Sequence, residues 1–574
     1  MILQSLYQQY DLLHQNEENE LPADGYSMAD VSFALRLNDD GSLGDIVDLR
    51  IQKGSKLRPR SMLVPAQKVR TGKNPPPYFL CDHGKYVLGI GNGGMDRFEA
   101  FRNYHKAVLG TENPLMRFLQ QWAPERWQEN DVLVQYQDDI VKGARFVFYL
   151  VNKGLYMHQD EEYMDCYRRF LAADPVDEIM GQCLVTGEKT QIARLHALIK
   201  GVRNAQAAGA ALVGFNDKSF ESYGKEQSFN APVGKKAVFK YTTALNYMLA
   251  DNKYHLSLKD TTVVFWASKD NSACIGVMAA MFSGEQKTTE ESEYRNLAKD
   301  ILRKLREGQP LQGNNYGIDA GTQVYILGLS PNNARLSVAF WQVNTFEMFV
   351  RKLGEHYHDL EIVEGAEMLP IWQILAETIS KNAKDKKTSP VMEKALLTAI
   401  LNGSLYPASL YNAMIVRIRA DGDVNYRRAA IIKAYLIRKY RITHMKEDIT
   451  VALNENNSNA AYLLGRLFAV LEKAQADALG TINASIKDRY FSSASTSPAA
   501  VFPALLRLSV NHTSKSKWGK RWEWLKGDIM ESLGESFPRH LSLDEQGQFM
   551  IGYYQQNKAF YTKKDEEENN EHAD

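Results

Sequence analysis

Residues 31–51, VSFALRLNDDGSLGDIVDLRI, carry the clearest sheet signal in the chain. Over Val31–Asn38 large apolar residues alternate with small or polar ones, which is the period of a strand with one buried face. Asp40 and Gly41 supply turn chemistry, and an apolar segment resumes over Ile46–Ile51. The segment therefore predicts a β-hairpin.

Helix and sheet signals surround this hairpin. Apolar residues recur at helical spacing over Leu3–Leu13, which predicts an opening amphipathic helix. Further strand-like runs, with helical segments between them, lie at Tyr86–Ile90, Thr261–Trp266, Val324–Leu329 and Leu336–Trp341. Residues 1–345 therefore predict an α+β domain, mixed in content and built on an antiparallel sheet.

Strand-like runs become rare after residue 345. A helical connecting region is expected over 346–445, with a polar, lysine-rich linker near 380–390. Apolar residues over Leu464–Ala478 then mark one helix face, which the cluster Asn456–Asn459 could cap, while Arg466 falls on the opposite face. We expect an all-α C-terminal helical bundle over 446–562. The acidic residues 563–574 predict a disordered tail.

Composition limits the class of protein. At 574 residues the chain can bury more than one core, because single cores stop growing at roughly 250 to 300 residues. Lys plus Arg and Asp plus Glu both number 69, so any nucleic-acid partner must be argued from local charge. The four cysteines lack CxxC spacing, and neither a secretory signal nor an apolar run of membrane-span length is evident. We expect a soluble cytoplasmic protein.

Two glycine motifs are incomplete. Gly89, Gly91 and Gly94 satisfy GxGxxG, but the helix expected over Phe98–Leu109 leads to no second strand, so a glycine-rich loop is the better interpretation. Gly187–Thr190 lacks both the upstream glycine and the lysine position of a phosphate-binding loop. Neither motif predicts a nucleotide cofactor.

Two residue pairs could support catalysis or metal binding. Cys183 and His196 could form a nucleophile and base, or two metal ligands, although buried packing is favoured. Asp421 and Asp423 could hold a metal, although an Asp-Gly turn before a helix explains them equally well. We therefore predict no catalytic residue, no metal and no cofactor.

Two segments hold basic residues without acidic ones, and a third interleaves basic residues with tryptophans. Arg50–Lys73 contains no acid, and such a run of like charge is stable when a polyanion lies opposite, although a solvated loop remains an alternative. In Val424–Lys446, three arginines lie within about 60° on a helix. Near residue 520, basic side chains that could bind phosphates alternate with tryptophans that could stack on bases. Packing of these tryptophans in the core is the alternative. The residues of these last two patterns are Arg427, Arg438, Arg441, Lys515, Lys517, Lys520, Arg521, Trp518, Trp522 and Trp524.

Long stretches of the chain resemble one known family. They include MILQSLYQQYDLL from Met1, MLVPAQKVRTGKNPPPYFLCDHGKYVLGI from Met62 and CLVTGEKTQIARLHALIKGV from Cys183. The helical part adds ILNGSLYPASLYNAMIVRIRADGDVNYRRAAIIKAYL from Ile400 and FPRHLSLDEQGQFMIGYYQQNKAF from Phe537. These stretches resemble the large-subunit family of the type I-C (Dvulg subtype) CRISPR Cascade.

The resemblance implies a non-catalytic Cascade subunit near the 5′ handle of the guide RNA. Such a subunit reads the protospacer-adjacent motif, contacts the displaced strand and helps recruit the helicase-nuclease, while the guide reads sequence by base pairing. Implied partners are guide RNA, the backbone and handle-binding subunits, target double-stranded DNA, and a small subunit translated from an internal start. Met445 is the candidate start and Met414 the competing one.

Charge and placement select the residues for these roles. For the motif duplex we select Lys53, Lys56, Arg58, Arg60, Gln67, Lys68, Arg70, Lys73 and Asn74. For the displaced strand or heteroduplex we select Arg427, Arg438, Arg441, Arg466, Lys487, Arg489, Lys515, Lys517, Lys520 and Arg521. Two alternatives remain: an architectural RNA-binding scaffold, and a nuclease or other metal-dependent enzyme using Asp421, Asp423 and nearby histidines.

Overall fold

The chain divides into two compact units in a computed structural model. The structure describes residues 1–16, 19, 21–53, 56–67, 70, 75–173, 179–269, 271–283, 289–307, 317–364, 368–384, 387–445, 449–480 and 484–571. The first unit comprises Met1–Ile199 and Ala211–Tyr247, and the second comprises Lys200–Ala210 and Met248–Asp574. This division cuts across the N-terminal domain that the sequence predicts to extend to residue 345.

The first unit combines short strands with eight α-helices among its described residues. Its helices are α1 (Ile2–Gln15), α2 (Gly84–Val87), α3 (Gly94–Leu109), α4 (Pro114–Gln121), α5 (Asp131–Val134), α6 (Gln137–Val141), α7 (Glu161–Ala173) and α8 (Lys235–Ala250). Its strands are β1 (Tyr26–Val31), β2 (Phe33–Leu37), β3 (Leu43–Asp48), β4 (Ile51–Lys53), β5 (Lys56–Arg58), β6 (Arg60–Pro65), β7 (Cys81–His83), β8 (Arg145–Leu150), β9 (Leu155–Tyr156), β10 (Met180–Gln182) and β11 (Lys189–Gln191).

The predicted hairpin forms one side of the main sheet, with β2 inside the sheet and β3 at its edge. β2 pairs antiparallel with β3 and parallel with β8, in the order β3-β2-β8-β7, and β9 also pairs with β8. β2 is buried on both faces: Phe33 and Leu35 join the core under α2–α4, whereas Ala34 packs with Val31 and Val64 of β1 and β6. The parallel pair is an addition to the predicted antiparallel sheet. Three two-stranded ribbons complete the unit, namely β1-β6, β4-β5 and β10-β11.

The prediction of a strand at Tyr86–Ile90 is wrong. Its first residues belong to α2, and Gly89 and Gly91 adopt φ values of +73° and +100°, which favour glycine and end the helix. A Cβ on Gly94 would lie 2.0 Å from the carbonyl oxygen of Gly89. The glycine-rich loop interpretation is therefore confirmed.

The second unit joins one antiparallel sheet to a large helical region. Strands β12 (His255–Ser257), β13 (Thr262–Ala267), β14 (Gln323–Asn332) and β15 (Arg335–Thr345) pair in chain order, which confirms the three strands predicted there. The first helices are α9 (Ser272–Ser283), α10 (Thr289–Arg306), α11 (Phe346–Leu360), α12 (Ile371–Ala376), α13 (Pro390–Asn402), α14 (Ala408–Asp421) and α15 (Tyr426–Thr443). The last are α16 (Ala460–Leu479), α17 (Ile486–Ala494), α18 (Pro498–Lys515), α19 (Gly519–Leu533) and α20 (Leu543–Glu571).

Helix α16 forms as the sequence predicts and packs closely on α20. The Asn459 side chain accepts hydrogen bonds from two backbone N–H groups at its start. Glycines allow the helices to touch: a Cβ on Gly465 would lie 2.0 Å from the Phe549 oxygen, and one on Gly552 would lie 2.2 Å from the Tyr462 oxygen. α20 continues to Glu571, into the segment for which the sequence predicts a disordered tail. Within the described ranges, no helix has the length and hydropathy needed to span a membrane.

Candidate nucleic-acid interface

The β4-β5 ribbon carries the accessible cations of the first basic segment. Lys56 and Arg58 on β5 and Arg60 at the start of β6 are exposed, and none of them forms an ion pair with a described residue. Two apolar neighbours, Ile51 and Leu57, are also about half exposed. We call Lys56, Arg58 and Arg60 the ribbon cations. They can meet phosphates without breaking an ion pair to any described residue.

Arg70 does not belong to this interface. Its guanidinium binds both carboxylate oxygens of the buried Asp82 and donates to the Pro76 oxygen at 2.9 Å. It also lies 3.6 Å from the centre of the Tyr78 ring and 4.2 Å from that of Tyr86. The prediction that Arg70 contacts DNA is therefore corrected: its charge is already neutralised and enclosed.

The arginines of α15 converge on a carboxylate. Asp359 of α11 is fully buried and accepts from Arg438 Nε at 2.8 Å and Arg441 Nη2 at 2.6 Å. Arg438 is 1% exposed and also donates to the Ala399 and Ser404 oxygens, so it is removed from the predicted interface. Arg441 remains partly exposed, and Arg427 is partly exposed beside Glu377, 3.7 Å from Oε1 to Nη1. The predicted cationic stripe is thus largely a packing surface against α11.

A cation and indole surface lies where α18 turns into α19. Lys515, Lys517, Lys520 and Arg521 are exposed without an ion-pair partner among the described residues, and Trp518 and Trp524 are 52% and 71% exposed. Lys517 Nζ lies 5.5 Å from the centre of the Trp518 ring. We call these six residues the turn surface. Unpaired cations beside open indole faces suit a single-stranded polyanion.

Local packing fixes this turn. Trp522, the tryptophan between the two exposed ones, is buried, and its Nε1–H donates to Asp477 at 3.1 Å. A Cβ on Gly519 would lie 1.9 Å from the Thr513 oxygen, so glycine permits the close approach of the two helices. The core-packing alternative is therefore confirmed for Trp522 alone among the three tryptophans.

One known protein family matches almost the whole chain. The sequence model of the CRISPR-associated protein family Cas_Csd1 matches residues 6–561. The chain belongs to the Csd1 family. Csd1 is the large subunit of the type I-C Cascade, so this chain is a CRISPR-associated subunit that assembles with other Cas proteins. No curated protein matches it.

The other selected residues of this Csd1 chain differ in accessibility. Arg466 is buried, donates to Gln556 Oε1 and to the Glu455 oxygen, and burial lowers its pKa, so it is corrected to a core residue. Lys487 is half-buried over the Tyr553 ring, whereas Arg489 is exposed. The Gln67 amide donates to the Cys81 oxygen at 3.1 Å. Lys68, Lys73, Asn74 and the Lys53 side chain lie outside the described residues.

The pairs considered for catalysis in this Csd1 chain have packing or charge partners. Cys183 and His196 are buried, and His196 Nδ1 lies 2.6 Å from the Tyr241 hydroxyl, which confirms the packing interpretation. Asp421 and Asp423 pair with Arg428 and Lys381 around the C-cap Gly422, so the Asp-Gly turn is also confirmed. Over the described part of the chain, no three His, Cys, Asp or Glu side chains form a possible metal site.

Sequence reasoning did not separate exposed rings from buried ones. Trp518 and Trp522 are four residues apart, a spacing that predicts one side of a helix for both, yet only Trp522 is buried. Trp518 precedes the first residue of α19, so helical spacing does not apply to it. The signal that could have found the turn is the pair Trp518-Gly519, because glycine allows a close approach between helices.

Proposed function

We propose that this Csd1 chain is the DNA-recognition subunit of its Cascade. It recognises the protospacer-adjacent motif, stabilises the R-loop and the displaced strand, helps recruit the helicase-nuclease, and catalyses no reaction itself. The observation that carries the proposal is the turn surface, where four unpaired cations accompany two exposed indoles.

The mechanism assigns phosphates and bases to different groups. Ribbon cations hold the phosphates of the motif duplex, which fixes position but carries no sequence information. Cations of the turn surface hold the backbone of the displaced strand while its bases stack on Trp518 and Trp524. R-loop formation exchanges duplexes of similar stability, so modest contacts to the displaced strand can favour opening. Asn74 stays our candidate for reading the motif.

The duplex contact is tested by replacing Lys56, Arg58 and Arg60 together by alanine. Target binding should weaken, and the slope of log affinity against log salt should fall by about 0.9 for each lost phosphate contact. Lys106 and Lys142, also exposed in the first unit and without an ion pair to a described residue, provide the control variant. Equal losses of affinity in both variants, or an unchanged salt slope in the ribbon variant, would show that the ribbon cations do not contact the duplex.

The displaced-strand contact is tested on the turn surface. Alanine at Trp518 and Trp524 should reduce R-loop yield more than initial motif binding, because the displaced strand exists only after opening. Each lost stacking contact is worth about 1–3 kcal/mol. The matched control replaces Lys299 and Lys384, exposed cations elsewhere in the second unit. If R-loop yield is unchanged while the variant assembles normally, the turn surface does not hold the strand.

The absence of catalysis is tested separately. Guide-free protein is mixed with labelled DNA and divalent metal ions. We expect binding without cleavage, whereas cleavage that is lost when Asp421 and Asp423 are replaced would establish the nuclease alternative.

A further inference from the structure

A cavity of about 810 Å³ lies within the second unit, apart from the turn surface. It is lined by the β12-β13 turn, by α9, α10 and α12, and by the first turn of α13. Small residues of α9, including Gly276 and Ala279, border the space. Its volume is in the range of small-molecule sites, roughly 300–1,000 Å³.

One carboxyl group in this cavity has an oxygen without a hydrogen-bond donor among the described residues. Glu393 of α13 is 4% exposed, and its Oε1 accepts from the Lys259 backbone N–H at 2.8 Å. Its Oε2 accepts no hydrogen bond from the described residues, and Glu393 forms no ion pair with them. Burial also raises the pKa of this carboxyl. An acceptor without an internal partner can take a hydrogen bond from a ligand N–H group without breaking an existing contact.

The rest of the lining supplies a ring and charged side chains, which are mostly cationic but include the acids Asp251 and Glu291. Trp372 of α12 is 48% exposed at the cavity wall. Arg203, Lys253 and Lys259 also line the cavity, and none of the three forms an ion pair with a described residue. An aromatic face, a hydrogen-bond acceptor and several cations are what a nucleotide requires for its base and its phosphate.

We propose that this cavity binds one nucleotide whose base carries an exocyclic amino group. The amino group donates to Glu393 Oε2, the base stacks on Trp372, and the phosphate meets Arg203, Lys253 and Lys259. Guanine, adenine and cytosine have such an amino group, whereas uracil and thymine do not. The nucleotide is either free in solution or an unstacked residue of a single strand, since both present the same groups.

The test is calorimetric titration of the purified full chain with GMP, AMP, CMP and UMP. The three nucleotides with an amino group should bind more tightly than UMP. Replacing Trp372 by alanine should weaken binding roughly 5- to 150-fold, the range measured for loss of one base-stacking contact. Tyr223→Ala, which removes a ring that is 97% exposed in the first unit and outside the cavity, is the control and should leave nucleotide binding unchanged.

Glu393→Gln tests whether Glu393 contacts the base. A purely structural role would not change the order of affinities for the four nucleotides. The glutamine carbonyl can still accept from the Lys259 N–H, while its amide presents a donor where Oε2 presented an acceptor. The preference should therefore invert in favour of UMP. Equal affinity for all four nucleotides in the native chain, or no binding at millimolar concentration, would overturn the proposal.

A second titration identifies the source of the nucleotide. Short single strands with one abasic position in place of a cytosine are compared with intact strands and with CMP. Weaker binding of the abasic strand, abolished by Trp372→Ala, supports a strand residue, and binding of CMP alone supports a free nucleotide. Occupation of the cavity by a segment of a neighbouring protein subunit instead would overturn the proposal. R-loop yield should survive Trp372→Ala, so the cavity and the DNA-recognition function can fail independently.

Discussion

Asp359 on α11 is fully buried and holds two arginines of α15 through ion pairs. Lys433 of α15 also donates to its backbone oxygen at 3.1 Å. Removing the carboxylate would leave Arg438 charged and enclosed, so Asp359→Ala should lower the free energy of unfolding by about 3–5 kcal/mol. Chemical denaturation measures this free energy. As a control, Arg427→Ala removes a half-exposed ion pair with Glu377 and should cost at most about 1 kcal/mol. Unchanged stability with weaker DNA binding would restore the α15 arginines to the interface.

Buried His105 makes stability depend on pH. Its Nε2 accepts from the Leu80 N–H at 3.0 Å, and Nδ1 lies 2.9 Å from the Phe101 oxygen, so the neutral ring satisfies both contacts. Burial lowers its pKa to about 4. Below the unfolded-state pKa near 6.5, the unfolded chain gains a proton that the folded chain does not, so this contribution to stability falls as pH decreases from 6.5 towards 4.

Comparison with His105→Gln isolates that contribution. Between pH 7 and pH 5 the native chain should lose about 2 kcal/mol more unfolding free energy than the variant. Denaturation curves at the two pH values measure the difference, independently of the loss of stability that the substitution itself causes. The same pH dependence in both proteins would contradict a depressed pKa at His105.

At the scale of elements, the contact between α16 and α20 rests on two glycines. Alanine at Gly465 or Gly552 would place a Cβ within 2.2 Å of a backbone oxygen on the facing helix, so the helices must separate. We expect each substitution to destabilise by about 1–3 kcal/mol despite the better helix propensity of alanine. A Cβ on Gly527 in α19 would meet no atom of another described segment within 4 Å, so Gly527→Ala should instead stabilise by about 0.5–1 kcal/mol. Thermal unfolding tests both signs, and destabilisation at Gly527 or none at Gly465 would refute the packing argument.

Elements with strong periodicity were predictable from the sequence. The β2-β3 hairpin, α1, the strands β13–β15 and the capped helix α16 all follow apolar spacing and turn chemistry. Charge predicted accessibility less well than periodicity predicted helices and strands. It indicated that Arg438 and Arg466 lie at the surface, whereas both are buried. Their partners, Asp359 and Gln556, come from distant helices, and local spacing contains no information about them.

At the scale of the whole molecule, the α+β class and the family were predictable, but sites built from separate segments were not. The cavity combines Arg203, Trp372 and Glu393, which belong to no common motif. The ribbon cations were predictable because sequence neighbours on a hairpin remain neighbours in space. A site built from residues far apart in the sequence can be identified only when the fold is known.

The C-terminal helices should also exist as a separate small subunit translated from within the same gene. A start at Met445 gives 130 residues that contain α16–α20. It removes α14 and α15, and with them the Tyr411 hydroxyl bond to the Leu543 oxygen and the Tyr440 bond to Gln548. The surface of α20 thus uncovered would be available to another subunit.

Intact-mass analysis of the complex expressed from the native gene checks this prediction. A C-terminal fragment should copurify and should disappear when Met445 is replaced by leucine. Its persistence would move the start to another residue such as Met414, which retains α15. Its absence from the native gene would refute the internal start altogether.

Photo-cross-linking in the assembled complex tests the DNA-recognition function most directly. A benzophenone amino acid replaces Arg58 in the ribbon or Trp518 in the turn surface, and each strand of the target carries a different label. We expect Arg58 to cross-link to the motif duplex before opening, and Trp518 to cross-link to the displaced strand only after the R-loop forms. Cross-links to guide RNA or protein subunits alone, with none to either DNA strand, would contradict DNA recognition and support an architectural scaffold.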